Sequence, residues 1–329
     1  MALTIEEYNS AYVVLRKLSV QNMNCISSPI TWGFPSLTAF SGLMVALQRN
    51  LGKDAGIQLS EFGVICHKFE PQVDSSRFVN RFNLMRHPLG KAGETRAINE
   101  EGRAHAELSL VFKLKYDSEI HIEGSQSIAV RLLEVIQGMR IAGGSIIPAV
   151  YRRKLAAFAI SADSTDFEVE WKKHRMYLLP GSALVGRTDL LQDELKALRT
   201  TDPSATTLDA LLNLSRINRA AAEPIDIALE PENGAIPKPK KVEWPVVKRK
   251  GWLVPIPVGF KAISQTFAPG TVANSRDPER TFRFVESVYS MGEWIGIHRI
   301  KNPSAMTWRI EPRNESNNYL LSSNYKSVV

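Results

Sequence analysis

The stretch "GRAHAELSLVFKLKY", Gly102 to Tyr116, most limits what this chain can fold into. Ala104, Ala106, Leu108, Leu110, Phe112 and Leu114 recur at every second position, while Arg103, His105 and Glu107 fall between them. That period of two belongs to a half-buried strand. Before it, "AYVVLRKLSVQ" is β-branched and only half alternating, and reads as a strand. The helix "LTAFSGLMVALQRN" follows, with Leu37, Phe40, Leu43, Met44 and Leu47 on one face and Ser36 placed to cap it. "GIQLSEFGVICHKFEPQ" supplies further strand, with Val64, Cys66 and Lys68 on one face and Ile65, His67 and Phe69 on the other. After Tyr116, "SQSIAVRLLEVIQGMR" has helical spacing through Ile128, Leu132, Val135 and Ile136, and "IAGGSIIP" is a short extended piece. The order strand, helix, strand, strand, helix, strand is that of an α+β, ferredoxin-like split βαβ core, as in RRM-like modules. Fold alone names no function.

The chain divides into a core over 1–150, an insertion at about 73–96, a helical segment over 151–219, a mobile loop over 220–245 and a strand-rich part over 246–329. Asp202 and Pro203 break the second region's helices, and low hydrophobicity marks the loop. The start "MALTIEEYNS" lacks the basic and apolar regions of a secretory signal, and no apolar run approaches membrane-spanning length. Cys25 and Cys66 are too few for a disulfide framework or a paired-cysteine zinc site. A cytoplasmic protein with no metal, no cofactor and no membrane partner is expected. A net charge of +7 across 329 residues favours an anionic partner.

The insertion interleaves Arg77, Arg81, Arg86, His87, Lys91 and Arg96 with Phe78, Phe82, Asn80 and Asn83. Guanidinium groups pair with phosphates, rings stack on bases and amides read base edges, a mixture suited to single-stranded RNA. A solvated loop anchored by two phenylalanines is the plain alternative. Glu101, Arg103 and His105 share the polar face of their strand, as a binding face or as an ion-pair ladder. "SSPITWGFPS" carries Trp32 and Phe34 beside Asn22 and Asn24; its aromatics either plug the core, favoured for Trp32, or form a stacking shelf. The cluster Lys248, Arg249 and Lys250 is a charge run able to grip duplex backbone.

"GSALVGRT", Gly181 to Thr188, has Walker A spacing but Arg187 in place of lysine, and its centre reads as a strand. The six histidines show no metal-ligating spacing. His67 and His105, on strands able to be neighbours, remain a candidate acid–base pair for metal-independent RNA cleavage.

"SSPITWGFPS", "CHKFEPQ", "FNLMRHPL", "INEEGRAHAELSL", "GMRIAGGSI", "LLPGSALVGR", "LRTTDPSATTLDALLNLSRIN", "GWLVPIPVGF" and "RFVESVYSMGEW" occur in this order between about Leu18 and His298. Together they resemble the second Csy subunit of the type I-F CRISPR surveillance (Cascade) complex, a fifth-family Cas protein. The resemblance implies a non-catalytic RNA-binding subunit with a ferredoxin-like core and a thumb-like insertion. It implies CRISPR RNA, held by its 5′ handle, and the large and backbone subunits as partners, in a complex directed at invading DNA. Cleavage of precursor RNA and of target then belong to other proteins.

On that resemblance Arg77, Arg81, Asn83 and Arg86 become RNA contacts of the thumb, and Lys248, Arg249 and Lys250 face target double-stranded DNA. In "GMRIAGGSIIP", Gly143, Gly144 and Ser145 beside Arg140 fall where this superfamily carries a glycine-rich loop, so the RNA backbone is expected to approach closely there. Close packing against a neighbouring strand is the other reason for these glycines. The rival classes are an endoribonuclease using His67 and His105, and a protein scaffold that touches no RNA.

Overall fold

The computed structural model describes residues 8–52, 55–76, 78–117, 122–148, 156–217, 219, 244–246, 251–312 and 318–326. In chain order the elements are β1 (Tyr8–Asn24), β2 (Ile26–Ser28), β3 (Thr31–Trp32), α1 (Leu37–Leu51), β4 (Ile57–Pro71), β5 (Val73–Asp74), β6 (Arg81–Phe82), β7 (Leu84–Arg86), β8 (Ile98–Glu100), β9 (Arg103–Asp117), α2 (Ile122–Gln137), β10 (Arg140–Ile141) and β11 (Gly144–Ile147). There follow β12 (Ala157–Ser161), α3 (Phe167–His174), β13 (Ser182–Gly186), α4 (Thr188–Thr201), α5 (Thr207–Ser215), β14 (Trp252–Ala262), β15 (Val285–Gly296), β16 (Thr307–Ile310) and β17 (Tyr319–Ser323).

The fold is mixed α+β. Its central sheet runs β11-β1-β9-β4, all antiparallel, with α1 and α2 as the intervening helices. Numbered among themselves, the four strands lie in the order fourth, first, third, second, which is consistent with a ferredoxin-like core. Ser36 accepts a hydrogen bond from the Thr38 amide at the start of α1, and Leu37, Phe40, Leu43, Met44 and Leu47 are buried as the spacing predicts.

Alternation in β1 is imperfect for a physical reason. The core residues are Ala11, Val13 and Leu15, then Leu18 and Val20, then Met23 and Cys25, so the phase slips twice. At each slip two residues of β1 face one of β9: Arg16 and Lys17 oppose Ser109, and Gln21 and Asn22 oppose His105. These are β-bulges, and Lys17 and Asn22 adopt the left-handed conformation with φ of 49° and 56°. β4 carries its own extra residue at His67, which moves Phe69 to the helix-covered face alongside Cys66. Strict alternation had put Phe69 on the opposite face.

The opposite face of the sheet is also covered over much of its area. Tyr12, Val14, Val111, Phe158 and Ile160 pack there against Trp171, Leu178, Ile297, Ile300 and Met306. The expectation of a helical segment over 151–219 therefore needs correction at "AFAIS", which is β12, paired with β1 along Ala11–Leu15. "SALVG" is β13, in keeping with the strand-like centre of "GSALVGRT". The alanine-rich run favours helix locally, but β1 leaves an edge that only a strand satisfies. The helices α4 and α5 do break at Asp202 and Pro203, and Thr206 and Asp209 form a capping box.

The C-terminal strands join the same sheet. β4 pairs with β13 near Cys66 and with β16 near Phe62, and the pairings β13-β15-β14-β17-β16 close a ring through β4. Trp308 is buried with Leu184, Ile256, Val258 and Leu321, and its indole N–H donates to the Leu184 carbonyl at 2.9 Å. Gly186 makes room for it: a Cβ there would lie 2.9 Å from the Trp308 ring. Of the expected mobile loop, residues 220–243 lie outside the described residues.

Candidate nucleic-acid interface

Three elements meet at one end of the central sheet: the second bulge of β1, the start of β9, and the β10–β11 hairpin. The hairpin is closed by Ala142 and Gly143, with φ of 47° and 78°, between the pairs Ile141↔Gly144 and Arg140↔Ser145. Two successive positive φ values make this a tight two-residue turn whose twist suits the flanking strands. "GMRIAGGSIIP" is thus a hairpin rather than a single extended piece.

The two glycines differ. Gly144 is buried, and a Cβ on it would lie 2.7 Å from the Gln21 carbonyl oxygen and 2.8 Å from the Met23 backbone nitrogen. Its bareness serves close packing on β1, a correction to the expectation that it clears space for an RNA backbone. Gly143 and Ser145 are exposed. Arg140 donates to the Gly143 carbonyl at 3.4 Å and has no carboxylate partner among the described residues.

Arg103 is held from both sides. Its Nε and Nη2 donate to Glu101 at 2.8 and 2.7 Å, and its Nη1 donates to the Asn22 carbonyl at 3.3 Å. Glu101 also lies 3.3 Å from His87. The ion pair is real, so Arg103 reaches any ligand with much of its charge balanced. Beside it the Asn22 amide N–H donates to His105 Nδ1 at 3.3 Å, while the Gln72 side chain lies 2.5 Å from Asn22 Oδ1 and 3.0 Å from His105 Nε2. Asn24 anchors the hairpin, its amide donating to the Ala142 carbonyl at 2.8 Å.

Asn22, Asn24, Arg103, Arg140, Gly143 and Ser145 are therefore neighbours, though far apart in sequence. Arg81, Asn83 and Arg86 stand apart on the insertion, which forms two small hairpins, β5–β6 and β7–β8. All three are exposed. Asn83 ties the insertion to the cluster through its backbone, its amide donating to the Gln72 carbonyl at 3.4 Å and its carbonyl accepting from the Glu101 amide at 3.3 Å. Arg81 sits opposite Asp74, whose carboxyl is held below its usual range chiefly by hydrogen bonds from Ser76 and also by that guanidinium. Arg77, Lys248, Arg249 and Lys250 lie outside the described residues.

Trp32 is 61% exposed, against the expectation of burial. Phe34 is the plug instead, stacked on Phe40 at 5.6 Å and edge-on to Trp294 at 4.9 Å. Trp32 meets Phe82 of the insertion edge-on at 5.4 Å. Alternating direction along an extended loop sends residues 32 and 34 to the same side only if the chain is regular, and Gly33, with φ of 123°, breaks that regularity.

His67 and His105 do not form a pair. His67 donates from Nδ1 to the Pro180 carbonyl at 2.7 Å and meets the Ser109 hydroxyl through Nε2 at 2.6 Å. Ser109 and His105 are four residues apart on β9, roughly 13 Å at strand rise. The Walker-like stretch is β13, and Arg187 donates to Asp189 at 2.9–3.2 Å and to buried Glu293. Burial alone would raise the Asp189 carboxyl, but hydrogen bonds from Arg187 outweigh it and hold the group low. Among the described residues no group of three or more His, Cys, Asp or Glu could hold a metal, and no helix is long and apolar enough to cross a membrane.

Sequence reading missed Gln72, which sits at the crossing of insertion, β1 and β9. Nothing marks a glutamine after a strand as special; the bulge opposite it, seen as a slip in alternation, was the available signal.

The sequence model of the family described as CRISPR-associated protein (Cas_Csy2) matches residues 13–321. The chain belongs to the Csy2 family. It is 44% identical over 304 residues to the CRISPR-associated protein Csy2 of Pseudomonas aeruginosa (strain UCBPP-PA14), covering 91% of this chain and 90% of the relative. The Csy2 match takes in β1 from Val13, the insertion and hairpin, and the C-terminal strands through Leu321.

Proposed function

We propose that this Csy2-family chain is a non-catalytic, cytoplasmic subunit of the type I-F CRISPR surveillance complex that holds the 5′ handle of the CRISPR RNA. In this reading the core is ferredoxin-like, and the chain pairs with the large subunit and adjoins the backbone subunit. The supporting observation is the polar end of the sheet. Most of the face opposite α1 and α2 is covered by apolar side chains, and what stays open is the row of Asn22, Arg103, His105 and Arg140 with exposed Gly143 and Ser145. Arg140 supplies uncompensated charge for phosphate, the asparagine amides offer base-edge contacts, and Arg103 is pre-positioned by Glu101. The insertion, with Arg81 and Arg86 exposed, extends this surface. Contact with target duplex is the role proposed for Lys248, Arg249 and Lys250.

Labelled handle RNA bound to the purified chain, alone and with the large subunit, tests the reading. Replacing Asn22 and Arg140 by alanine together should weaken binding by roughly tenfold or more. Unchanged affinity overturns the site, and turnover of repeat RNA by the pure chain overturns the non-catalytic role.

A further inference from the structure

Five of the six tryptophans fall into two chemical groups. Trp171 and Trp308 are buried, and their indole N–H groups donate to the carbonyls of Ile300 and Leu184 at 2.9 Å. Trp32, Trp252 and Trp294 instead line one groove of about 520 Å³, and their N–H groups meet no acceptor among the described residues. Trp252 is 66% exposed and lies 6.4 Å from Trp294 between ring centres. Large apolar surface left open in this way marks a binding groove.

The walls restrict what can enter. Not one of the described residues that line it is charged, in a chain of net charge +7. A phosphate backbone requires cations, and the described lining offers none. Strand addition is also disfavoured. β14 forms one wall, and β17 pairs only with its Gly259 and Phe260, leaving the edge along Trp252–Pro257 without a partner from that strand. Pro255 and Pro257 withhold the amide donors that an added strand would use. A ligand without carbonyls would leave three indole donors unsatisfied.

A polyproline II segment answers each condition. Its rings pack on indole faces, its carbonyls accept indole N–H groups, and its prolines bring no N–H needing an acceptor. Its lack of charge complements the neutral lining. We propose that the groove bounded by Trp32, Trp252 and Trp294 binds an uncharged, proline-containing segment of a partner protein in the polyproline II conformation.

Fluorescence anisotropy of labelled decaproline with the full chain tests this. Binding should saturate and change by less than about twofold as sodium chloride rises tenfold, because no charge pair is involved. Trp252→Ala and Trp32→Ala should each weaken it by roughly tenfold, as loss of an aromatic anchor does. Trp252→Phe keeps an aromatic face and removes the donor together with the second ring of the indole; a roughly threefold loss is expected. Equal binding of a glycine–serine decapeptide, no saturation, or Trp252→Phe binding as wild type would overturn the proposal. Competition by oligouridylate would overturn it in favour of a base-stacking groove.

Discussion

β1 contains the same local defect twice, and the two copies have different surroundings. At the first bulge the Lys17 amide donates to Ser109 Oγ at 2.9 Å; at the second the Asn22 amide donates to His105 Nδ1 at 3.3 Å. In both, a left-handed residue on β1 gives up its ladder bond and a β9 side chain replaces it. The first is sealed. Ser109 is fully buried, and its hydroxyl, accepting from Lys17, donates to His67 Nε2, leaving His67 Nδ1 to donate to the Pro180 carbonyl. Arg16, at the same bulge, donates to the Tyr177 carbonyl at 2.8 Å and lies over the Tyr177 ring. The second ends in Gln72 and the exposed side chain of Asn22, open to a ligand. A bulge thus serves as a clamp where other chain covers it and as a contact surface where nothing does.

Ser109→Val should break the clamp. It takes the acceptor from the part-buried Lys17 amide and removes the hydroxyl that meets His67 Nε2, at about 1–3 kcal/mol. Chemical denaturation should show a lower midpoint at unchanged slope. His105→Leu removes the equivalent acceptor at the open bulge, where water substitutes, so stability should fall by only about 0.5 kcal/mol while handle binding weakens. A larger stability loss at His105 than at Ser109 would remove the distinction.

Gly144→Ala comes next. The added methyl meets backbone atoms of Gln21 and Met23 rather than flexible side-chain ends, so overpacking of about 1–3 kcal/mol is expected. Handle affinity, measured below the melting range, should be retained. Lost binding with unchanged stability would return Gly144 to the RNA surface.

What the chain shows on reading follows the reach of each interaction. Periodicity placed β9, α1 and α2, because each buries one face of a regular element, as Leu132 and Ile136 do in α2. The slips at Lys17, Asn22 and His67 blurred the pattern of β1 and β4, and with it the side on which Phe69 lies. β12 was hidden because its alanines favour helix and its reason to be extended is β1, more than a hundred residues away. Arg103, Arg140 and Asn22 were legible as polar candidates, but their convergence was not. It depends on a hairpin turn made by Ala142 and Gly143, without the Asn-Gly pair that usually announces one.

The smallest stability effect is expected where the ligand effect is sharpest. Arg140 is exposed on the hairpin beside the open bulge, and Arg86 is exposed on the insertion. Alanine at either should change stability by no more than about 0.5 kcal/mol, since neither has a carboxylate partner among the described residues. Each phosphate contact contributes about 0.9 to the slope of log affinity against log salt for duplex and about 0.7 for single strands. Arg140→Ala should therefore flatten the slope for handle RNA by about 0.7, one contact's worth. Arg103→Ala should flatten it less despite its central place, because Glu101 already balances its charge. If Arg86→Ala alone flattens the slope, the RNA follows the insertion and the open bulge is only its neighbour; if Arg140→Ala does, the sheet end carries the backbone.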